Sequence, residues 1–341
     1  MSENFSSVRR RAIRLTDAAL VTTSYLSTDR ENFPLVIRPN EAGVDLMGWA
    51  RSHRAFVESE LLKHGSLLFR NFGVDSVMRF EQFARALTPE LVDYFERAAT
   101  RREVARNIYT STEYPADQPI PLHHEMSYSH NWPIKIWFYC AQPALSGGAT
   151  PIANDRKVIK LIDPAIKEQF ARKKVMYVRN FGEGLDLSWQ EAFQTEDRAA
   201  VKKYCGDAHM TCEWQDGDRL RTRSVRQAFA THPRTGETVW FNHAHMFHIS
   251  NVERSAREAL LAHFKEDELP RNAFYGDGSP IESPVLDEIR RVYAEAAVTF
   301  RWEKGDVLLL DNFLASHGRE PFTGTRRILV AMAELFTNAS L

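Results

Sequence analysis

A histidine and a glutamate separated by one residue are the first candidates for chemistry in this sequence. They are His123 and Glu125, within residues 120–128. On an extended strand, side chains alternate between the two faces, so His123 and Glu125 point the same way and His124 points the opposite way. An imidazole and a carboxylate on one face can bind the same metal ion. The tripeptide alone is a weak signal, because a lone histidine is more often a surface or core residue.

A distant histidine can complete this site. Two protein ligands are too few for a redox metal, and His317 follows a short apolar strand near the C-terminal end of the sequence. Two histidines and one carboxylate leave three open positions on an octahedral Fe(II), enough for a chelating co-substrate and O2. We therefore predict that His123, Glu125 and His317 are the metal ligands and catalytic residues.

A carboxylate-binding pair is the next candidate. The hydroxyl of Thr150, in the turn SGGATP, can donate to a carboxylate, and Arg326 or Arg327 offers a planar fork that matches one. Strand alternation separates the two arginines, because Arg327 shares its face with small residues that leave space (Leu329, Ala331 and Ala333). The face of Arg326 is typical of outer packing (Ile328, Val330 and Met332). We favour Arg327, although either arginine alone is also typical of an exposed strand edge.

The motifs HxE, GGxTP, VWFN and DNxxxxHGRxPFxGxRR, in this order, resemble the taurine dioxygenase/clavaminate synthase-like family of Fe(II)/2-oxoglutarate oxygenases. The resemblance extends from about residue 67 to 336. It is closest to the branch of amino-acid hydroxylases of natural-product pathways, to which residues 109–115 and 271–278 are also similar.

The resemblance implies a mainly β fold with helical inserts, in which a double-stranded β-helix (jelly-roll) core is flanked by helices. His123, Glu125 and His317 match the iron ligands of the family. Thr150 and Arg327 match the positions that hold the distal carboxylate of 2-oxoglutarate. The implied cofactors are Fe(II), 2-oxoglutarate as co-substrate and O2, and decarboxylation of the 2-oxo acid releases succinate and CO2. The protein orients these groups and excludes water.

The metal carboxylate departs from the commonest pattern of the family. Most relatives have HxD, whereas Glu125 is one methylene longer, as in the clavaminate synthase-like branch. Halogenases of the superfamily have a small residue there, which opens a halide site. Because Glu125 fills that position, we expect hydroxylation, desaturation or epoxidation rather than halogenation.

The elements around these residues predict one domain over residues 1–341, with residues 1–15 as a loose basic arm. Apolar periodicity predicts helices over residues 45–62 and 76–87, the first ending at His64 and Gly65. Strands are predicted from β-branched and aromatic residues. They lie near residues 67–72, 134–140, 175–181, 307–311 and 327–336. Helical inserts are predicted near residues 163–173, 195–204, 255–265 and 284–297.

Several polar and aromatic residues are candidates for binding the substrate. Trp240 and Asn242 share a strand face, and Asn242 can hydrogen-bond a polar end of a substrate. Tyr109 and Glu113 precede the HxE motif and are candidates for a lid that contacts an amino-acid substrate. A structural role is the alternative for each of these. His243, His245 and His248 are expected to pack in the core or at the surface.

The composition excludes several classes of protein. Lys plus Arg number 44 and Asp plus Glu 45, which gives a net charge of −1 and no strong field toward nucleic acid or an anionic membrane. No apolar run is long enough to cross a membrane. Three cysteines without a CxxC motif argue against a disulfide framework and favour the reducing cytoplasm. The sequence leaves the oligomeric state open.

The leading hypothesis is an oxygenase acting on an amino-acid-like small molecule, either free or bound to a carrier protein. One alternative is a metal-dependent hydrolase of the same shape, which needs three protein ligands but no carboxylate clamp. The other alternative is a non-catalytic jelly-roll binding module that has lost its metal. An intact set of ligands argues against that module.

Overall fold

The largest β-sheet in the computed structural model has nine strands within the described residues, which are 20–26, 33–182 and 186–338. The strands are β1 (Val21–Tyr25), β2 (Leu35–Pro39), β3 (Ser66–Phe69), β4 (Leu91–Val92), β5 (Glu103–Ala105), β6 (Ile108–Thr110), β8 (Asn131–Gln142), β18 (Val307–Asp311) and β21 (Arg327–Thr337). Their order is β1-β2-β3-β18-β8-β21-β6-β5, and β4 also pairs with β21. The predicted arm over residues 1–15 lies outside the described residues.

Smaller sheets complete the β structure. One has the order β17-β10-β19-β7 and carries the candidate ligands, and another has the order β12-β13-β11-β16. The other pairs are β14-β15 and β20-β9. The strands of these sheets are β7 (Ile120–His123), β9 (Ser146–Gly147), β10 (Ile152–Asn154), β11 (Val175–Phe181), β12 (Met210–Gln215), β13 (Arg219–Arg226), β14 (Phe229–Thr231), β15 (Thr238–Trp240), β16 (Arg271–Tyr275), β17 (Ala297–Val298), β19 (Ala315–Arg319) and β20 (Phe322–Thr323).

Ten α-helices lie within the described ranges. They are α1 (Leu46–Ser52), α2 (Arg54–His64), α3 (Val77–Leu87), α4 (Asp155–Leu161), α5 (Pro164–Lys173), α6 (Trp189–Phe193), α7 (Arg198–Asp207), α8 (Ala244–Phe247), α9 (Arg254–His263) and α10 (Ser283–Ala296). None of the described helices combines the length and the apolarity needed to cross a membrane. The prediction of a mainly β fold with helical inserts is confirmed, whereas the extent of the domain stays a prediction.

The long strand β21 is buried on both faces over residues 328–333. Leu329, Ala331 and Ala333 pack in a cluster with residues of α1, α2 and α3. The alternate residues of β21 pack in a second cluster on the opposite face. Alanine at two positions of the helix side lets the large aromatic side chains of α3 lie close to the sheet. Strand β21 therefore separates a helix-covered core from the interior that holds the candidate site.

The first predicted helix is divided in two. Residue His53 ends α1 and precedes α2, so the predicted helix over residues 45–62 is present but bent. Helix α2 ends at Gly65 in the left-handed conformation, with φ 73°. A Cβ atom at Gly65 would lie 3.1 Å from the carbonyl oxygen of Leu314, so glycine also permits close approach to the segment before β19.

Candidate metal centre and carboxylate pocket

The pairing of β7 with β19 brings the two candidate histidine ligands together. The two strands are antiparallel, and His123 lies directly opposite His317 in the register. Their ring centroids are 4.5 Å apart. Residues 194 positions apart in sequence (317 − 123) thus become neighbours through strand pairing.

Glu125 lies in the turn that follows β7, and a single buried asparagine fixes this turn. The Oδ1 atom of Asn312 accepts the backbone N–H of Glu125 at 2.8 Å. Its Nδ2 atom donates to the carbonyl oxygens of Glu125 and Pro133, both at 2.9 Å. Because Asn312 lies just after β18, the DN dipeptide of the sequence joins the largest sheet to the turn that carries the carboxylate.

His123, Glu125 and His317 form one cluster of potential ligands. One ligand atom from each lies within 4.8 Å of the others, and all three residues are buried. The Oε2 atom of Glu125 is 3.7 Å from Nε2 of His317. The Nδ1 atom of His123 lies 2.8 Å from the carbonyl oxygen of Pro121, which orients the ring so that Nε2 faces the cluster. The three residues lie together as the sequence predicts, and their role as metal ligands stays a prediction.

The electrostatics of the cluster suit a metal ion. Burial lowers the pKa of His123, although Glu125 acts in the opposite direction. Burial lowers the pKa of His317 well below its ordinary value, and His123 and Arg101 add to this effect. Both imidazoles are therefore neutral at pH 7, as metal ligands must be. Two neutral imidazoles and one carboxylate fit a divalent iron ion with open positions.

The other histidines have structural partners. His124 points away from the cluster, as predicted, with Nδ1 2.6 Å from the carbonyl oxygen of Asn312 and Nε2 3.1 Å from Asp155. His243 contacts Ser127 through Nδ1 at 2.7 Å and packs edge-on against the ring of His123. His245 and His248 are also buried. Packing in the core or at the surface was expected for this HxHxxH segment, and the structure places its three histidines in the core.

A pocket extends from the metal ligands to Arg326 and Thr150. Its lining includes His123 and His317 together with Phe138 and Val330. The Oγ1 atom of Thr150 accepts from Nε1 of Trp302 at 3.0 Å and lies 3.3 Å from Nη2 of Arg326. With both lone pairs of the Thr150 oxygen occupied, its hydroxyl proton is free for a ligand.

Arg326 has polar partners but no acidic one among the described residues. Its Nε atom donates to the carbonyl oxygen of Gly148 at 2.8 Å, and its Nη1 atom is 3.4 Å from Oγ of Ser111. Burial lowers the pKa of Arg326 to about 10, and the charge of Arg319 contributes. A partly desolvated cation without a carboxylate partner favours binding of an anion. Gly148, with φ 69°, makes room for Arg326, since a Cβ atom there would lie 3.0 Å from Cδ of the arginine.

The structure corrects the choice between the two arginines. Arg327 is exposed and faces the helix side of β21, whereas Arg326 lies beside Thr150. The alternation along β21 was predicted correctly, but the assignment of the inner face was wrong. The small residues on the face of Arg327 accommodate helices rather than a ligand, and Ile328 and Val330 line the pocket.

Most of the residues predicted to bind the substrate instead make contacts within the protein. Trp240 is fully buried against Phe170 and Phe229. The Nδ2 atom of Asn242 donates to Ala228, and its Oδ1 atom accepts the N–H of Ala244 at the start of α8. This amide is therefore committed to the backbone in the short segment between β15 and α8, and the predicted substrate contact is corrected to a structural one.

Tyr109 and Glu113, the two substrate candidates that precede the HxE motif, differ in burial. Tyr109 is buried, and its hydroxyl donates to the exposed residue Asp93 at 3.2 Å. Glu113 is exposed and forms an ion pair with Arg102 at 2.9 Å. It lines a surface depression that also contains Arg326, so of the four substrate candidates Glu113 is the one placed near the pocket mouth.

Sequence reasoning missed Arg101. Its Nη2 atom donates to Oε2 of Glu125 at 2.7 Å, and both side chains are about 4% exposed. Arg101 also lines the pocket. No periodicity links an irregular segment to a turn 24 residues further along the chain, so the sequence carries no signal for this ion pair.

Comparison with known proteins agrees with this geometry. The family model described as "Taurine catabolism dioxygenase TauD, TfdA family" matches residues 30–333. The dapdiamide synthesis protein DdaC of Enterobacter agglomerans is 45% identical over 278 residues, which are 82% of this chain and 84% of that protein. A clavaminate synthase-like protein of Arabidopsis thaliana is 29% identical over 321 residues, 89% of this chain and 94% of the relative.

Solved structures share the fold. PvcB of Pseudomonas aeruginosa has 17% identity and a TM-score of 0.54 over 95% of this chain and 94% of its own. Another PvcB structure is described as an Fe, alpha-ketoglutarate dependent oxygenase from an isonitrile synthetic pathway, with a TM-score of 0.55. AAD-2, in complex with Mn(II) and N-oxalylglycine, has 12% identity and a TM-score of 0.52 over 94% of this chain and 99% of its own. The chain belongs to the TauD/TfdA family of dioxygenases.

Proposed function

We propose that this enzyme hydroxylates an amino acid or an amino-acid-derived group in natural-product biosynthesis and releases succinate and CO2. The observation that carries the proposal is the pocket that joins the ligand cluster to Arg326 and Thr150. Similarity to a dapdiamide synthesis protein over most of both chains supports an amino-acid-like substrate. Desaturation and epoxidation are the alternative outcomes of the same chemistry.

The proposed roles of the site follow from its geometry. His123, Glu125 and His317 would hold Fe(II), and Arg326 with Thr150 would hold the distal carboxylate of 2-oxoglutarate. When bound, the iron and the 2-oxo acid supply the activation of O2 and the oxidising power. The chain orients the bound groups and keeps water away from them, because apolar side chains line the pocket (Phe138, Ile328 and Val330).

Two finer features belong to this proposal. We infer that the sheets form the double-stranded β-helix, because the sheet that carries the ligands lies against β8 and β21 of the largest sheet through the shared pocket. We also infer a cytoplasmic location, since the three cysteines are free thiols in the structure.

A metal-dependent hydrolase would need the same three ligands but no carboxylate clamp. The partly buried Arg326, without an acidic partner among the described residues, favours the oxygenase. A non-catalytic binding module would have no reason to keep two neutral buried imidazoles beside a carboxylate.

The test is a screen for succinate release under air with Fe(II) and 2-oxoglutarate. The candidates are free amino acids and aminoacyl groups bound to a carrier protein, with the His317→Ala variant as control. We expect one candidate to stimulate succinate release in the wild type only, with a product heavier by one oxygen atom. Product formation that needs neither 2-oxoglutarate nor O2 would favour the hydrolase. Anaerobic addition of Fe(II) and 2-oxoglutarate should produce a metal-to-ligand charge-transfer band in the visible spectrum. Its absence would favour the binding module.

A further inference from the structure

Arg101 is held rigidly beside the metal ligands. Its Nη2 atom lies 2.7 Å from Oε2 of Glu125 and 3.2 Å from Oγ1 of Thr112. Its Nε atom also faces Thr112, at 3.4 Å. The guanidinium carbon lies 4.5 Å from the ring centroid of Tyr94, so the group stacks on an aromatic face. The arginine is therefore fixed on three sides before any ligand binds.

The fourth side of this guanidinium has no partner. The Nη1 atom of Arg101 is buried and makes no hydrogen bond to any residue that the structure describes. A guanidinium carries five N–H donors, and a buried charged donor without an acceptor is costly. Because Arg101 lines the pocket, an oxygen atom of a bound molecule is the natural acceptor.

The pocket lining contains two pairs of the same residue types. Arg326 contacts Oγ1 of Thr150 at 3.3 Å, and Arg101 contacts Oγ1 of Thr112 at 3.2 Å. In each pair the threonine oxygen accepts from the arginine, which leaves its own proton available for a ligand. All four residues line the same pocket.

The charges of the pocket lining favour anions. None of the described residues that line it is acidic. Arg319 also lines it; its Nη1 and Nη2 atoms donate to the carbonyl oxygens of Tyr114, Pro115 and Gln118, whereas its Nε atom has no partner among the described residues. The acidic partner of Arg101 is Glu125, which is also the predicted metal ligand. Once a cation shares the charge of Glu125, the charge of Arg101 requires a further anion nearby.

We propose that Arg101 and Thr112 form a second carboxylate-binding pair at the metal end of the pocket. This inference rests on the proposed function, because it takes the pocket as the place where a 2-oxo acid binds. The carboxylate has two possible sources, which are the carboxylate next to the oxo group of 2-oxoglutarate and a carboxylate of the primary substrate. Arg101 is then a binding residue as well as a support for Glu125.

Calorimetric titration of the full chain loaded with Mn(II), without O2, tests the proposal. The probes are 2-oxoglutarate and 2-oxopentanoate, which keeps the oxo group and its neighbouring carboxylate but lacks the distal one. The variants are Arg101→Lys, which keeps the positive charge beside Glu125, Thr112→Val, which keeps the shape, and Arg326→Gln. Arg102→Lys is the matched control, because this neighbouring arginine is exposed and pairs with Glu113.

We expect Arg101→Lys to weaken binding of both probes by roughly ten-fold or more, and Thr112→Val to weaken both by a smaller factor. Arg326→Gln is expected to weaken 2-oxoglutarate alone, and Arg102→Lys to change neither. Mn(II) affinity and the melting temperature of each variant show whether the cluster and the fold are intact. Thr112→Val leaves the ion pair untouched and provides the test if Arg101→Lys does not fold.

A second titration identifies the source of the carboxylate. The twenty common L-amino acids are added to the Mn(II)–2-oxoglutarate complex, and stabilisation against heat is recorded. Unchanged binding of both 2-oxo acids in Arg101→Lys, with loss of stabilisation by an amino acid, would assign the pair to the primary substrate. If both variants bind every probe as the wild type does, the proposal is wrong. A wild type that binds these 2-oxo acids but releases no succinate in the screen would overturn the proposed function alone.

Discussion

At the scale of single residues, the carboxylate clamp shows how neighbours in sequence acquire different environments. Arg327 is the first residue of β21 and Arg326 directly precedes it, yet only Arg326 lies beside Thr150. Sequence alternation identifies the two faces of β21 but cannot say which one lines the pocket, because both are apolar and buried. To decide which face of β21 lines the pocket, one must know which face the helices cover, and sequence patterns do not supply this.

The first prediction compares Arg326→Gln with Arg327→Gln. Arg326→Gln is expected to raise the Kd for 2-oxoglutarate by roughly ten- to a hundred-fold, because it removes a charge-assisted, forked contact to a carboxylate. Arg327→Gln serves as the matched control and should leave the Kd nearly unchanged, since this side chain is exposed and, unlike Arg326, does not line the pocket with Thr150 and the two histidines. The measurement is titration of the Mn(II)-loaded protein. A larger effect at Arg327 would restore the original sequence interpretation.

At the scale of elements, the turn after β7 decides whether the carboxylate ligand is in place. The HxE pattern predicts that His123 and Glu125 face the same way, and the structure agrees. It does not predict that the strand ends at His123, or that Asn312 makes two hydrogen bonds to Glu125 in the turn and a third to Pro133 in β8. The DN dipeptide of the motif is the signal that, in hindsight, marks this support.

The second prediction concerns Asn312→Ala. The change leaves three buried backbone groups of Glu125 and Pro133 without partners, so we expect a loss of about 3 kcal/mol in the free energy of unfolding and weaker Mn(II) binding. Urea unfolding and metal titration are the measurements. Asn251→Ala is the comparison, because its partly buried amide donates to one carbonyl oxygen, that of Met246. Equal losses in the two variants would contradict the supporting role of Asn312.

The third prediction concerns His245, which contacts β7, the strand that carries His123. His245 is 1% exposed, its Nε2 atom lies 2.8 Å from the carbonyl oxygen of Leu122, and burial lowers its pKa to about 3. In the unfolded chain a histidine pKa is about 6.5. Between pH 6.5 and about 3 the unfolded state therefore binds a proton that the folded state does not, and stability falls as the pH falls.

His245→Gln keeps a donor for Leu122 but removes this titration. We expect the variant to lose less stability than the wild type between pH 7 and pH 5, by about 2 kcal/mol. Urea unfolding at the two pH values measures the difference. If the wild type and the variant lose the same free energy of unfolding between pH 7 and pH 5, His245 does not contribute to the loss of stability in acid.

At the scale of the whole molecule, the sequence motifs predicted the cluster of ligands better than the architecture around it. The order of the motifs was enough to bring His317 to the HxE pair, because the motifs mark strand ends that the fold must join. The order of the nine-stranded sheet was not predicted. Its neighbours are distant in sequence, as in the pairing of β3 with β18, and such pairings depend on packing of the whole chain rather than on local patterns.

The site also connects distant parts of the molecule, and this leads to the last prediction. A metal ion held by His123, Glu125 and His317 would cross-link β7, the following turn and β19, so it binds the folded state and not the unfolded one. At about a hundred times its Kd, such a ligand adds about 2.7 kcal/mol to the free energy of unfolding. We expect Mn(II) to raise the melting temperature by roughly 5 °C, and 2-oxoglutarate to raise it further.

The control for this prediction is His317→Ala, which leaves two ligands. Removal of the metal with a chelator should return the wild type to its lower melting temperature, and the variant should respond to neither metal nor chelator. Because 2-oxoglutarate would bind partly through the metal, its additional stabilisation should be lost in the same variant, although Arg326 and Thr150 are intact. A variant that is stabilised by 2-oxoglutarate as strongly as the wild type would show that the two ends of the pocket act independently.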